Sequence, residues 1–199
     1  MAFMIPLLDA TIDRRGPPPR IIQRLSELPD FAWAVSRLTP PPDPLSALGE
    51  LAEIGARLYL HDAGRHPLVL LHAVTGPAAV YLFAARASLE LRSAAFAFMW
   101  QAVAAWAAAF SRGLSDETFS ATVEPWDEII DLSVDSGDDH AIKFTEACHR
   151  MEGIRPSPVF RAAASDWVHR LIDTRAWSSE QLVNVGIRTR LSESVASTT

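Results

Sequence analysis

The sequence predicts an all-α fold, a compact multi-helix array around an Ala-rich central helix. Three observations carry this. Apolar residues recur at three- and four-residue steps, as in Leu45, Leu48, Leu51, Ile54 and Leu58, the spacing that places them on one helical face. No stretch alternates β-branched and polar residues between hairpin turns. Prolines, 14 in 199 residues, cluster between these stretches, where a missing N–H and a clash with the preceding turn exclude helix interior.

In chain order, residues 1–43 read as a Pro-rich segment with short helices. Gly16-Pro17-Pro18-Pro19 and the run from Thr39 to Pro44 bracket helical stretches over 21–28 and 31–38. Residues 44–185 read as the helical domain. An amphipathic helix covers 44–60, and a second covers 66–85, interrupted or kinked at Gly76-Pro77. A long Ala-rich helix follows over 89–110, then helices over 126–132, 138–151 and 157–172. Ser136, Asp138 and Asp139 have the side chains that cap a helix start and fill its first turn. Gly153 and Pro156 mark its end. Residues 186–199 read as a loose polar tail.

The stretch from Ala94 to Phe110 needs a membrane test. At about 17 residues it reaches only the lower limit of a spanning helix, and more than half of it is weakly hydrophobic Ala and Gln. A buried core helix is the expectation, and with it no membrane partner. Net charge is −6 with no run of Lys or Arg. A nucleic-acid partner, which needs a clustered basic face, is therefore not expected. Cys148 is the only cysteine, so neither an internal disulfide nor a Cys-rich zinc site is available. The start lacks a basic leader before an apolar run, and a cytoplasmic location is the expectation.

Chemistry has few candidates. There is no Gly-rich phosphate loop, no Gly-x-Ser-x-Gly elbow and no His-Glu-x-x-His. Among six histidines, His61 and His66 flank a Gly-containing turn, and His149 and His169 each adjoin an arginine on a helix. A solvated position explains all four. His72 lies in the apolar run Leu68-Val69-Leu70-Leu71-His72, where a hydrogen-bonded core histidine is the ordinary reading. Cys148 adjoins His149, but neighbours in sequence point apart on a helix, so a Cys-His dyad is not expected.

The segment from Asp138 to Ala147 says more. His140 and Lys143 are three apart and share a helical face. Lys143 is also the only lysine; the rest of the 18 Lys-plus-Arg residues are arginine. Arginine stays protonated, whereas a desolvated lysine amine can turn neutral, act as base or nucleophile, or take up carbon dioxide to form a carbamate. Against this stands chance, since one lysine must sit somewhere, and a plain salt bridge to Glu146 is the bland alternative.

Leu71-His72-Ala73-Val74-Thr75-Gly76 followed by an Ala-rich helix, together with the nine residues from His140 to Cys148, resemble the questin oxidase-like family. The resemblance runs roughly from Leu45 to Trp167 and corresponds to the C-terminal portion of family members, whose remaining histidines lie in an N-terminal half. It implies an oxidoreductase that opens a ring of an anthraquinone or related aromatic polyketide by oxygen insertion. Two chemistries are implied: a Baeyer-Villiger-type monooxygenation using NADPH, or a non-haem Fe(II) centre held by histidines and a carboxylated lysine. On the second, His72 and His140 supply imidazole ligands and Lys143 the carbamate. Imidazole and carboxylate donors suit Fe(II).

Three readings follow. The first is an oxygenase completed by a separate chain carrying the N-terminal half. The second is a catalytically incomplete helical module that binds an apolar aromatic ligand or a partner chain, with Phe83, Phe96, Phe98, Trp100 and Trp106 as pocket candidates. The third is a fragment without function of its own. An apolar face left open by a missing half would favour a homodimer.

Overall fold

The computed structural model describes residues 15–36, 38–62, 64–111 and 123–172, which form helices joined by turns, with no strand among them. The helices are α1 (Pro18–Leu25), α2 (Pro29–Ser36), α3 (Pro44–Asp62), α4 (Pro67–Leu70), α5 (His72–Ala84), α6 (Leu89–Phe110), α7 (Trp126–Asp135), α8 (Asp139–Ile154) and α9 (Pro158–Ile172). Five of them begin on proline. The prolines thus start helices as well as punctuating them, because the first turn has no use for the N–H that proline lacks and favours its fixed φ. The expected tail over 186–199 lies outside the described residues.

The break expected at Gly76-Pro77 is not there. α5 runs through Pro77, and the interruption falls five residues earlier, at Leu71, between α4 and α5. Pro77 has no N–H to offer the carbonyl of Ala73 one turn back. That carbonyl lies against α3 at Gly55, where a Cβ would come within 2.1 Å of Ala73 O. The backbones of α3 and α5 therefore touch directly, and only glycine permits it. A second correction concerns α8, which passes through Gly153 and ends at Ile154, before Pro156.

α3 is the hub. One of its sides carries Ala52, Ala56 and Tyr59 into a core shared with Ile21 and Leu25 of α1, Phe144 and Met151 of α8, and Phe160 and Trp167 of α9. Another side packs Leu48, Leu51 and Leu58 against Phe96, Met99 and Val103 of α6. Because Ile21 and Leu25 belong to the shared core, the Pro-rich segment is tied into the helical array. The buried Tyr59 hydroxyl donates to Asp166 at 2.7 Å, and Arg170 grips the same carboxylate at 2.5 and 3.0 Å. Burial first, and the neighbouring Asp166 second, push the Tyr59 hydroxyl well above the usual tyrosine range. Arg155 pairs with Glu53 at 2.6 Å, fastening the end of α8 to α3.

Two stretches, Pro67–Ala84 and Leu89–Phe110, are long and apolar enough to cross a membrane by composition. The second is α6, whose C-terminal half is core: Val103, Ala104, Ala107, Ala108, Ala109 and Phe110 are all buried. The first has only 39% of its window buried. The hairpin of α5 and α6 therefore keeps one open side.

Candidate metal centre

α5 and α8 pack side by side, and each places a histidine in its first turn. His72 is the first residue of α5, immediately after the α4–α5 break. His140 is the second residue of α8. α8 starts there because the Asp138 carboxylate caps it, accepting from Ala141 N at 2.8 Å. The two imidazoles meet edge to face, centroids 6.3 Å apart and planes at 73°.

The His72 ring is oriented through Nδ1, and the His140 ring has a carboxylate beside its Nδ1. His72 Nδ1 lies 2.8 Å from the Leu68 carbonyl oxygen. A carbonyl only accepts, so Nδ1 carries the proton and Nε2 keeps a lone pair. His140 Nδ1 sits 3.2 Å from Asp139 Oδ1, and the anionic oxygen favours the proton on that nitrogen. His72 thus has an outer hydrogen-bond partner on Nδ1 and a lone pair on Nε2, as metal-ligating histidines do, whereas His140 has the charge of Asp139 beside its Nδ1. Two imidazoles on one tetrahedral ion, with bonds of about 2.1 Å, would hold their centroids about 5 Å apart. The pair stands about 1 Å wider. Two imidazoles fit an intermediate divalent metal such as Fe(II).

Lys143 does not fulfil the expectation of a desolvated amine. Its side chain is 69% exposed and its Nζ donates to Asp139 Oδ2 at 2.6 Å. A solvated amine paired with a carboxylate is not the desolvated group that the carbamate expectation requires. The expected partner, Glu146, is instead held by Arg150 through two bonds of 2.7 Å. Asp139, not singled out in the sequence as more than a first-turn residue, is the link: one oxygen faces His140 and the other Lys143. The Lys143 hydrogen bond, then the nearby His140 ring, hold its carboxyl below the usual aspartate range. Ligand atoms of Asp138, Asp139 and His140 also lie within 4.8 Å of one another. In this arrangement the Asp138 cap and the Lys143 pair already engage both carboxylates.

The other histidines serve elsewhere. His61 Nδ1 is 2.9 Å from buried Asp62, which also accepts from Ser111 at 2.6 Å. His66 stacks on Phe110, His149 on Trp126, and His169 meets Glu124 at 2.8 Å. Cys148 is fully buried, and burial pushes its thiol well up, the opposite of a reactive thiolate.

The five aromatic candidates divide. Phe96 and Trp100 are core residues, while Phe83 and Phe98 stand in solvent. Trp106 alone reaches the site, half-buried and 6.2 Å from the His72 ring. Comparison with family profiles, curated proteins and solved structures finds no match to this chain.

Proposed function

We propose that the chain carries part of a non-haem metal centre and acts as an oxidoreductase of the questin oxidase-like type, inserting oxygen into an anthraquinone or related aromatic polyketide. The observation that carries this is the pair of His72 and His140 rings meeting between α5 and α8, with His72 Nδ1 bonded to a carbonyl and a carboxylate beside His140 Nδ1. Fe(II), held by the two imidazoles, would bind and activate dioxygen, both of whose oxygen atoms would enter the product so that no further reductant is consumed. The Leu68 carbonyl fixes the proton and ring angle of His72, and Asp139 orients His140. Trp106 offers a flat aromatic wall beside His72, suited to stacking a planar ring system. Two imidazoles leave an ion with open positions, and the further ligands come from a second chain. Lys143, paired as an ammonium, is not among the ligands in this reading.

The test is aerobic incubation of Fe(II)-loaded protein with a hydroxyanthraquinone, alone and with a chain carrying the N-terminal half of a questin oxidase-like protein. Iron-dependent oxygen uptake with a matching gain of oxygen in the product supports the proposal. Turnover that is absent in both, or independent of iron, refutes it.

A second reading, a binding module without catalysis, is favoured by the solvated Lys143 and the open apolar side of α5 and α6. Metal-free protein that binds the anthraquinone as tightly as the loaded form would select it.

A further inference from the structure

Among the described residues, an apolar surface outside the core lies on the α5–α6 hairpin. The buried positions of α5, among them Ala73, Val74, Pro77 and Ala84, define one face. At 100° per residue, Ala79, Leu82 and Phe83 fall on the opposite face, all exposed. On α6, Leu91, Ala94, Phe98 and Gln101 form the matching exposed stripe. Phe83 is 59% and Phe98 69% exposed. The helices are antiparallel and in fixed register: Gly76 meets Met99, the His72 ring lies beside that of Trp106, and Arg92 closes the tip on the Ala85 carbonyl. The two stripes thus run side by side on a rigid base.

We infer that this face is a docking surface for a second copy of the chain, forming a twofold dimer in which two hairpins pack into a four-helix arrangement. The inference does not depend on a metal. A contiguous apolar patch of this size is at the upper end of what monomers expose and is often functional. Leu82, Phe83, Leu91 and Phe98 leave on the order of 500 Å² uncovered per copy. With Ala79, Ala94 and Gln101 the face reaches the low end of specific interfaces, which bury about 600 to 800 Å² per partner. Charge selects the occupant. Arg86 and Glu90, both exposed, flank the turn at the hairpin tip. A twofold contact is self-complementary, and with its axis along the hairpins it brings Arg86 of one copy against Glu90 of the other. An anionic membrane would call for clustered cations alone, whereas the tip mixes Arg86 and Arg92 with Glu90.

Sedimentation velocity across the micromolar range tests this. Wild-type protein should sediment at twice the 21.8 kDa chain mass. Phe83→Glu combined with Phe98→Glu should give a monomer with unchanged helix content, since both side chains are outside the core. Glu90→Arg should raise the dimer dissociation constant by about tenfold, and Arg86→Glu added to it should restore dimerisation. That restoration separates pairing from misfolding. A wild-type monomer at every concentration, a dimer indifferent to these substitutions, or a monomer that floats with phosphatidylcholine vesicles would each overturn the inference.

Discussion

His72 and His140 face each other across the α5–α8 contact, ring centroids 6.3 Å apart, although 68 residues separate them in the chain. The helix starts set where both rings stand. The α4–α5 break puts the Leu68 carbonyl under His72 Nδ1, and the Asp138 cap starts α8 where His140 falls in its first turn. The Leu68 bond leaves the His72 Nε2 lone pair available.

Asp139 is expected to be a positioning residue. Asp139→Ala should weaken metal binding by roughly 10- to 100-fold, the usual effect of removing an outer partner of a ligating histidine. Asp139→Asn, which keeps an accepting oxygen, should recover part of the loss. Competition against a chromophoric chelator measures both. Equal affinity for all three proteins would remove Asp139 from the site.

Lys143 is expected to remain an ammonium. Protein equilibrated with ¹³C-bicarbonate should show no lysine carbamate carbon by NMR, and Lys143→Arg should bind metal as the wild type does. A carbamate signal that disappears in Lys143→Arg would restore the lysine to the ligand set.

Two glycines should respond with opposite signs. Gly55→Ala drives a methyl into the Ala73 carbonyl and should destabilise the fold by about 3 kcal/mol, at the upper end of overpacking effects. Gly153 lies in the last turn of α8 with open space around its Cβ position, and Gly153→Ala should stabilise by roughly 0.5 kcal/mol. Urea denaturation reads both. A near-neutral Gly55→Ala would mean that α3 and α5 part easily.

Glu124 gives the acid dependence. Ser165 Oγ donates to it at 2.6 Å and His169 Nε2 lies 2.8 Å away. The Ser165 hydrogen bond comes first among the causes that hold its carboxyl near a pKa of about 2 instead of 4.5. A depressed carboxylate pKa stabilises the folded state above the unfolded pKa, and this contribution is lost as pH falls from 4.5 toward 2. In Ser165→Ala the carboxyl should titrate higher and acid unfolding should begin at higher pH. Carboxyl-carbon NMR follows it; wild-type titration near 4.5 would contradict the assignment.

Much of the fold was legible because helical periodicity and proline placement are local signals. The helix over 44–60 and the Ala-rich helix over 89–110 came from spacing alone. The missed break at Leu71 shows the limit. Pro77 carries the stronger local signal, but Gly55 on another helix makes room for the carbonyl it leaves unpaired, and no local pattern reports that. The site divided likewise. The shared face of His140 and Lys143 was readable, and the meeting of His140 with His72 is a tertiary fact. Lys143 was misjudged on its apolar neighbours: Phe144 is buried while Ile142 and Lys143 turn outward, and Asp139, one turn earlier, captures the amine. The anchors at Leu68 and Asp139 left no motif, since one is a backbone carbonyl and the other looked like a first-turn aspartate.

The most direct test of the metal centre is a Co(II) titration of wild-type protein, His72→Ala, His140→Ala and the double variant, followed in the visible spectrum. If both Nε2 atoms bind one ion, wild-type protein takes one Co(II) per chain, each single substitution lowers affinity at least about tenfold, and the double variant loses little more, the non-additivity of ligands that act as a unit. Losses that simply add, or a His72→Ala variant that binds like the wild type, would show that the two rings do not share a ligand.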